Sequence, residues 1–135
     1  MALELVIVTP EGEALSEAVD QVVLPGEAGE FGVLESHERF LTPLSPGPMQ
    51  IQTAGVSGWA AISSGFAEVD ASRVIVLVDA CSLADEIDPK VVEAQRTDAE
   101  KALAELEGGE QSDAERGRLT ALIVRAEIEL DVASR

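Results

Sequence analysis

Val19-Asp20-Gln21-Val22-Val23-Leu24-Pro25-Gly26 is a short apolar segment that ends at a proline-glycine pair. Three valines and a leucine within six residues suit a strand, and proline followed by glycine suits the turn after it. The same unit recurs on both sides. Leu3 to Val8 ends at Thr9-Pro10-Glu11-Gly12; Phe31 to Leu34 and Phe40 to Leu44 bracket His37; Ser45-Pro46-Gly47-Pro48 precedes Met49 to Thr53; Trp59 to Ser63, Phe66 to Val69 and Arg73 to Val78 complete the series. Short strands at such spacing, with prolines and glycines expected between segments and not within them, predict an all-β sandwich or flattened barrel of about ten strands over residues 1–84.

After Leu83 the apolar period changes from two to about 3.6. Asp88-Pro89 reads as a helix start, with aspartate as cap and proline at the first helical position. Val92, Ala99, Ala102, Leu103 and Leu106 form one stripe, and Gly108-Gly109 stops it. Ser112 with Glu115 reads as a capping box for a second helix, whose stripe is Leu119, Leu122, Ile123, Ala126, Leu130 and Ala133. Residues 85–135 are therefore expected to form an antiparallel αα-hairpin. Its narrow, alanine-rich stripes bury little apolar area, which suits a detachable arm; a hairpin permanently docked on the β domain is the other reading.

The 135 residues carry a net charge of -17, with 46% apolar side chains. That content supports a packed core, and the charge excludes nucleic acid and anionic lipid as partners, because each approach to phosphate would be repulsive. Protein partners are expected. Residues 1–80 hold twelve acids against Arg39 and Arg73, whereas residues 81–135 hold fourteen acids with Lys90, Arg96, Lys101, Arg116, Arg118, Arg125 and Arg135. The first part is nearly a pure anion and the second a polyampholyte. A single cysteine and an N-terminus without basic or long apolar stretches point to a reducing, cytoplasmic location. No apolar run approaches the roughly 20 residues of a membrane helix.

Catalytic readings meet a thin inventory: one histidine, one cysteine and no tyrosine. A thiol enzyme built on Cys81 and His37 is the only nucleophilic option, and a cysteine after an apolar strand reads better as packing. Two nitrogen or sulfur ligands far apart do not make a transition-metal site, and Asp85, Glu86 and Asp88 suit helix capping better than calcium binding. No glycine-rich loop with a following lysine is present. Glu30, between Gly29 and Gly32, reads either as part of a turn or as a residue presented at a surface; His37 reads as structural or as part of that surface.

The order Gly29-Glu30-Phe31-Gly32-Val33-Leu34, His37, Leu41-Thr42, Pro46-Gly47, Ser64-Gly65-Phe66-Ala67-Glu68-Val69 and Val74 to Val78 with Asp79 resembles the epsilon subunit of F-type ATP synthase over nearly the whole chain. The resemblance implies a non-catalytic rotor part of the proton-translocating complex, without a cofactor of its own. It would dock on the gamma subunit and the c-ring and reach the membrane only through the latter, at the cytoplasmic face of the cell membrane. Glu30 and His37 match residues at the end of the β domain that meets the c-ring. Arg96, Lys101, Arg116, Arg118 and Arg125 match in sign the extended arm that meets the alpha and beta catalytic subunits and restrains ATP hydrolysis. They also fit helix-surface pairs, namely Arg96 with Glu100, Arg125 with Glu129 and Arg118 with Glu115.

Two departures from the family stand out. Glu35-Ser36-His37-Glu38-Arg39 replaces an uncharged proline-glycine-histidine-alanine-proline loop. The nucleotide motif of some relatives is degenerate: Ile87-Asp88 is followed by Pro89-Lys90-Val91-Val92, without the arginine, and Lys90 does not replace a planar fork. Weak or no ATP binding is expected. The alternative to a rotor subunit is a stand-alone β-sandwich binding module with a dimerising hairpin.

Overall fold

The computed structural model describes residues 3–34, 39–106 and 110–135. Among these residues ten strands, β1 (Leu3–Thr9), β2 (Gly12–Val19), β3 (Gln21–Gly26), β4 (Gly29–Leu34), β5 (Phe40–Leu44), β6 (Gly47–Thr53), β7 (Val56–Ile62), β8 (Gly65–Val69), β9 (Arg73–Val78) and β10 (Cys81–Leu83), precede a 3-10 turn, Ala84–Glu86. Two helices follow, α1 (Pro89–Glu105) and α2 (Glu110–Ala133).

The strands form one bent sheet in the order β10-β7-β6-β3-β5-β8-β9-β1-β2, with β4 paired to β3 as a branch. Every pairing is antiparallel except β1 with β9. The bend falls between β3 and β5, which share one pairing, Gly26 with Leu44. The two limbs thus face each other as a sandwich. Alternation fills the space between them: Leu3, Leu5 and Ile7 of β1, Val74 and Val76 of β9, Ala67 and Val69 of β8, and Val22, Leu24, Val33, Met49, Ala60 and Ile62 from the opposite limb are all buried. Each sheet residue that points inward is followed by one that points out, so a half-apolar sequence supplies one dry face per limb.

Two strands differ from the sequence reading. β2 is a strand although Glu13, Ser16 and Glu17 interrupt its apolar pattern, because it lies at the sheet edge and only Val19 is fully covered. A bulge at Ile7/Val8 sets its register against β1. β10 adds three residues beside β7. The expectation that prolines stand outside strands is also corrected, since Pro25, Pro43 and Pro48 lie within β3, β5 and β6. Each is next to a strand end, and the carbonyls of Pro25 and Pro43 still accept bonds, from Ser45 N at 2.8 Å and Glu27 N at 3.2 Å. Only a donor is lost there.

The start of α1 follows the sequence reading. Asp88 Oδ1 accepts the Lys90 N–H at 3.0 Å, and Pro89 occupies the first helical position. α2 begins at Glu110, two residues ahead of the expected Ser112, and Glu115 is engaged by Arg118 instead of closing a capping box. The buried stripe is narrower than expected on α1, where Ala102 is exposed, and it shifts on α2, where Leu122 is exposed and Val132 is fully buried. Val132 is buried because α2 touches more than its partner helix: it also lies on β6, β7 and the 3-10 turn, so the hairpin is docked on the sandwich.

Candidate docking surfaces

Glu30 is the second residue of β4, just past the tight hairpin that Gly26 and Gly29 close. Gly29 has φ 128°, a conformation side chains avoid, and a Cβ on Gly26 would stand 2.8 Å from the Gly29 carbonyl oxygen and 3.0 Å from the Phe31 ring. These two glycines let the chain turn tightly and leave Glu30 exposed at the end of the sandwich. Behind it, Phe31 meets Phe40 edge-on, with ring centroids 5.8 Å apart at 66°, which fastens β4 to the start of β5. Glu30 makes no ion pair with a described residue. His37, and the loop Glu35 to Glu38 with it, lies outside the described residues.

The sequence reading missed the larger feature. On the outward face of β5, β8 and β9, Pro43 stands opposite Phe66 and Phe66 opposite Leu77, while Val8 of β1 continues the row beside Leu77. Leu41 is 66% exposed, Phe66 52% and Leu77 43%. A groove of about 540 Å³ lined by Val8, Pro10, Pro43, Phe66 and Leu77 runs along this row to Glu27 at the β3–β4 tip. Single exposed apolar residues are ordinary; adjacent ones on neighbouring strands form a contiguous apolar surface of the kind found at interaction sites. Alternation alone hides this, because an outward Phe66 in Gly-Phe-Ala-Glu-Val reads like an inward one. Gly65 positions it: a Cβ there would fall 2.0 Å from the Leu77 carbonyl oxygen, so β8 approaches β9 as only glycine allows.

The hairpin presents its cations mostly in paired form. Arg96 bonds Glu93 at 2.6 Å and lies 3.4 Å from Glu100; Arg118 bonds Glu115; Arg125 bonds Glu129 at 2.8 Å. All three pairs read from the sequence form, with Glu93 as an added partner. The Arg118 hydrogen bond, followed by its charge, holds the Glu115 carboxyl below the ordinary range. Lys101 and Arg116 make no ion pair with a described residue. The structure thus separates the five candidate residues into three paired within their own helix and two that pair with no described residue.

Between β10, the 3-10 turn and both helices lies a cleft of about 820 Å³, lined by Cys81, Ile87, Asp88, Val91, Arg118 and Arg125 among others. Val91, at the position where the resemblance implies an arginine, is exposed. Asp88 is occupied as the helix cap. Cys81 is half-buried, and burial, then the Glu86 charge, pushes its thiol up to about 11, so thiolate is scarce near neutrality. Nucleophilic chemistry at Cys81 is thereby disfavoured. Among the described residues no helix is long and apolar enough to cross a membrane, and no group of three His, Cys, Asp or Glu is placed to hold a metal ion.

Residues 2–84 match the family model described as "ATP synthase, Delta/Epsilon chain, beta-sandwich domain". The chain is 41% identical over 133 residues to a protein of Herpetosiphon aurantiacus named ATP synthase epsilon chain, spanning 98% of this chain and 95% of that one. It is 40% identical over 136 residues to the protein of the same name from Anaeromyxobacter sp. strain Fw109-5, spanning all of both. Among solved structures, it superposes with TM-score 0.78 on a chain of the Euglena gracilis mitochondrial ATP synthase OSCP/F1/c-ring assembly, at 23% identity, covering 99% of this chain and 82% of that one. At that identity the likeness speaks for the fold.

Proposed function

The chain belongs to the ATP synthase epsilon-chain family, and on that premise we propose that it is a non-catalytic rotor subunit that couples c-ring rotation to ATP synthesis elsewhere in the complex. The observation that carries the reading is the apolar row Leu41, Pro43, Phe66 and Leu77 on an otherwise anionic sandwich. Such a row costs solubility unless a protein covers it, and the gamma subunit is the occupant we assign. Glu30, held out at the sandwich end by its glycine hairpin, faces the c-ring in this reading, and His37, seven residues on, is assigned to the same contact. The complex then sits peripherally at the cytoplasmic face of the cell membrane, attached through the c-ring.

Residues 85–135 serve as the arm that restrains ATP hydrolysis by meeting the catalytic subunits. The extended link Ile87–Asp88 between the 3-10 turn and α1, which a hinge would use, supports that assignment although α2 lies docked on β6 and β7. Weak or absent nucleotide binding belongs to this reading, since Val91 stands at the position of the motif's arginine. The test is the ATPase rate of the assembled complex with the full chain and with residues 85–135 removed. Faster hydrolysis on removal is expected; an unchanged rate rejects the restraint and leaves the coupling role, which co-purification with gamma and catalytic subunits checks separately.

A further inference from the structure

α1 packs along α2, and it is α2 that lies on β6, β7 and the 3-10 turn. A specific side-chain contact stands at the C-terminal end of α2. The Arg135 guanidinium stands 4.2 Å from the centroid of the Trp59 ring, and Asp131 Oδ2 accepts from Arg135 Nη2 at 3.1 Å, which holds the guanidinium in place. Val132, one turn earlier on the same side of α2, is fully buried. Trp59 of β7 stands opposite Gln50, on the outward side of its limb, and Ala61, the next outward residue, is buried while Ser57, the previous one, is exposed. Cover on this face therefore starts at Trp59.

Elsewhere the buried hairpin residues Val92, Ala99, Leu119 and Ala126 are small or few, and they line the helix–helix seam. We propose that Arg135, seated on Trp59, and Val132, buried one turn earlier on α2, form the latch that keeps the hairpin on the sandwich, and that this attachment sets the fraction of time the hairpin is free. The proposal rests on the reading of residues 85–135 as a movable arm. A guanidinium over an indole face combines packing with attraction to the ring quadrupole, and it tolerates water better than an ion pair of equal size. Val132 adds the desolvated apolar contact that a lone cation–π pair lacks.

Two native reporters allow a test in the isolated full-length chain. Trp59 is the only tryptophan and Cys81, lining the cleft under the helices, the only cysteine. Release of the hairpin uncovers both. Arg135→Gln is expected to raise the rate of Cys81 alkylation about two- to fivefold, and Val132→Ala about tenfold with a red shift of Trp59 emission. Helix content by circular dichroism should be unchanged, and Arg135→Lys should fall between parent and Arg135→Gln. Parental alkylation rates in both Arg135→Gln and Val132→Ala would overturn the latch, as would a rise accompanied by helix loss. Because the readout needs no ATPase, its failure is distinct from failure of the restraint in the complex.

Discussion

The Asp20 carboxylate, through Oδ2, accepts the backbone N–H of Ala54 at 2.7 Å, across 34 positions of sequence. It braces the β6–β7 hairpin, whose two loop residues both have positive φ, 51° at Ala54 and 79° at Gly55. That geometry is the mirror-image turn that suits twisted strands, and it prefers asparagine or glycine where this chain has alanine. Ala54→Asn should stabilise the protein by about 1 kcal/mol, and Asp20→Ala should destabilise it by about 1 kcal/mol. Urea unfolding measures both; a neutral Ala54→Asn would show that the turn carries no strain.

Gly65 permits no side chain. A methyl group there would overlap the Leu77 carbonyl, a backbone atom that moves only by breaking β8–β9 pairing. Gly65→Ala should cost about 3 kcal/mol or more, or prevent folding. Gly12→Ala makes a useful contrast, because nothing lies within 4 Å of that position and its penalty comes from φ 118° alone. A smaller loss for Gly12→Ala, seen in thermal melts, is the expected order.

Substitutions on the apolar row separate binding from folding. Phe66→Asp and Leu41→Glu replace exposed residues, so monomer stability should change by no more than about 0.5 kcal/mol. Co-purification with the gamma subunit should nevertheless fail. Retained assembly in the double variant would mean that another face docks.

The hairpin cations should not act equally. Arg118 is already held by Glu115, and Arg125 by Glu129, whereas Lys101 and Arg116 pair with no described residue. Reversing Lys101 and Arg116 to glutamate should release ATP hydrolysis in the complex more than reversing Arg118 and Arg125. Equal release would mean that the helix-surface pairs open on docking.

Alkaline pH should weaken the fold through Cys81. Its thiol stays protonated to about pH 11 in the folded chain but ionises near 9.0 when free of burial. Between those values the unfolded state has lost the proton and the folded state has not, so stability falls as pH rises through that window. Cys81→Ala removes this part of the slope. Melting temperatures at pH 8 and pH 10.5 for parent and variant should differ in that sense.

How far the fold was legible depended on the range of the interaction concerned. Asp88-Pro89 announced α1 because a cap and its amide are two residues apart. Arg96, Arg118 and Arg125 announced their partners because helix geometry places residues three or four apart together. Val74 to Val78 read as a strand from its own side chains. β2 did not, since its strand state comes from pairing with β1 at a sheet edge, where Glu13 and Glu17 lose little by remaining in water. Ala102 and Val132 were misjudged for a related reason: periodicity marks one face of a helix but does not say how many neighbours that face meets.

The linear order of residues was enough to determine a strand-rich first part, a helical second part, the cap between them and the excess of acid. Those rest on contacts within a few residues or on composition. The parallel pairing of β1 with β9, the outward row from Pro43 to Leu77, and the seat of Arg135 on Trp59 were decided by folding alone. Each joins segments tens of residues apart, and an alternating strand carries the same letters whichever of its faces turns toward the core.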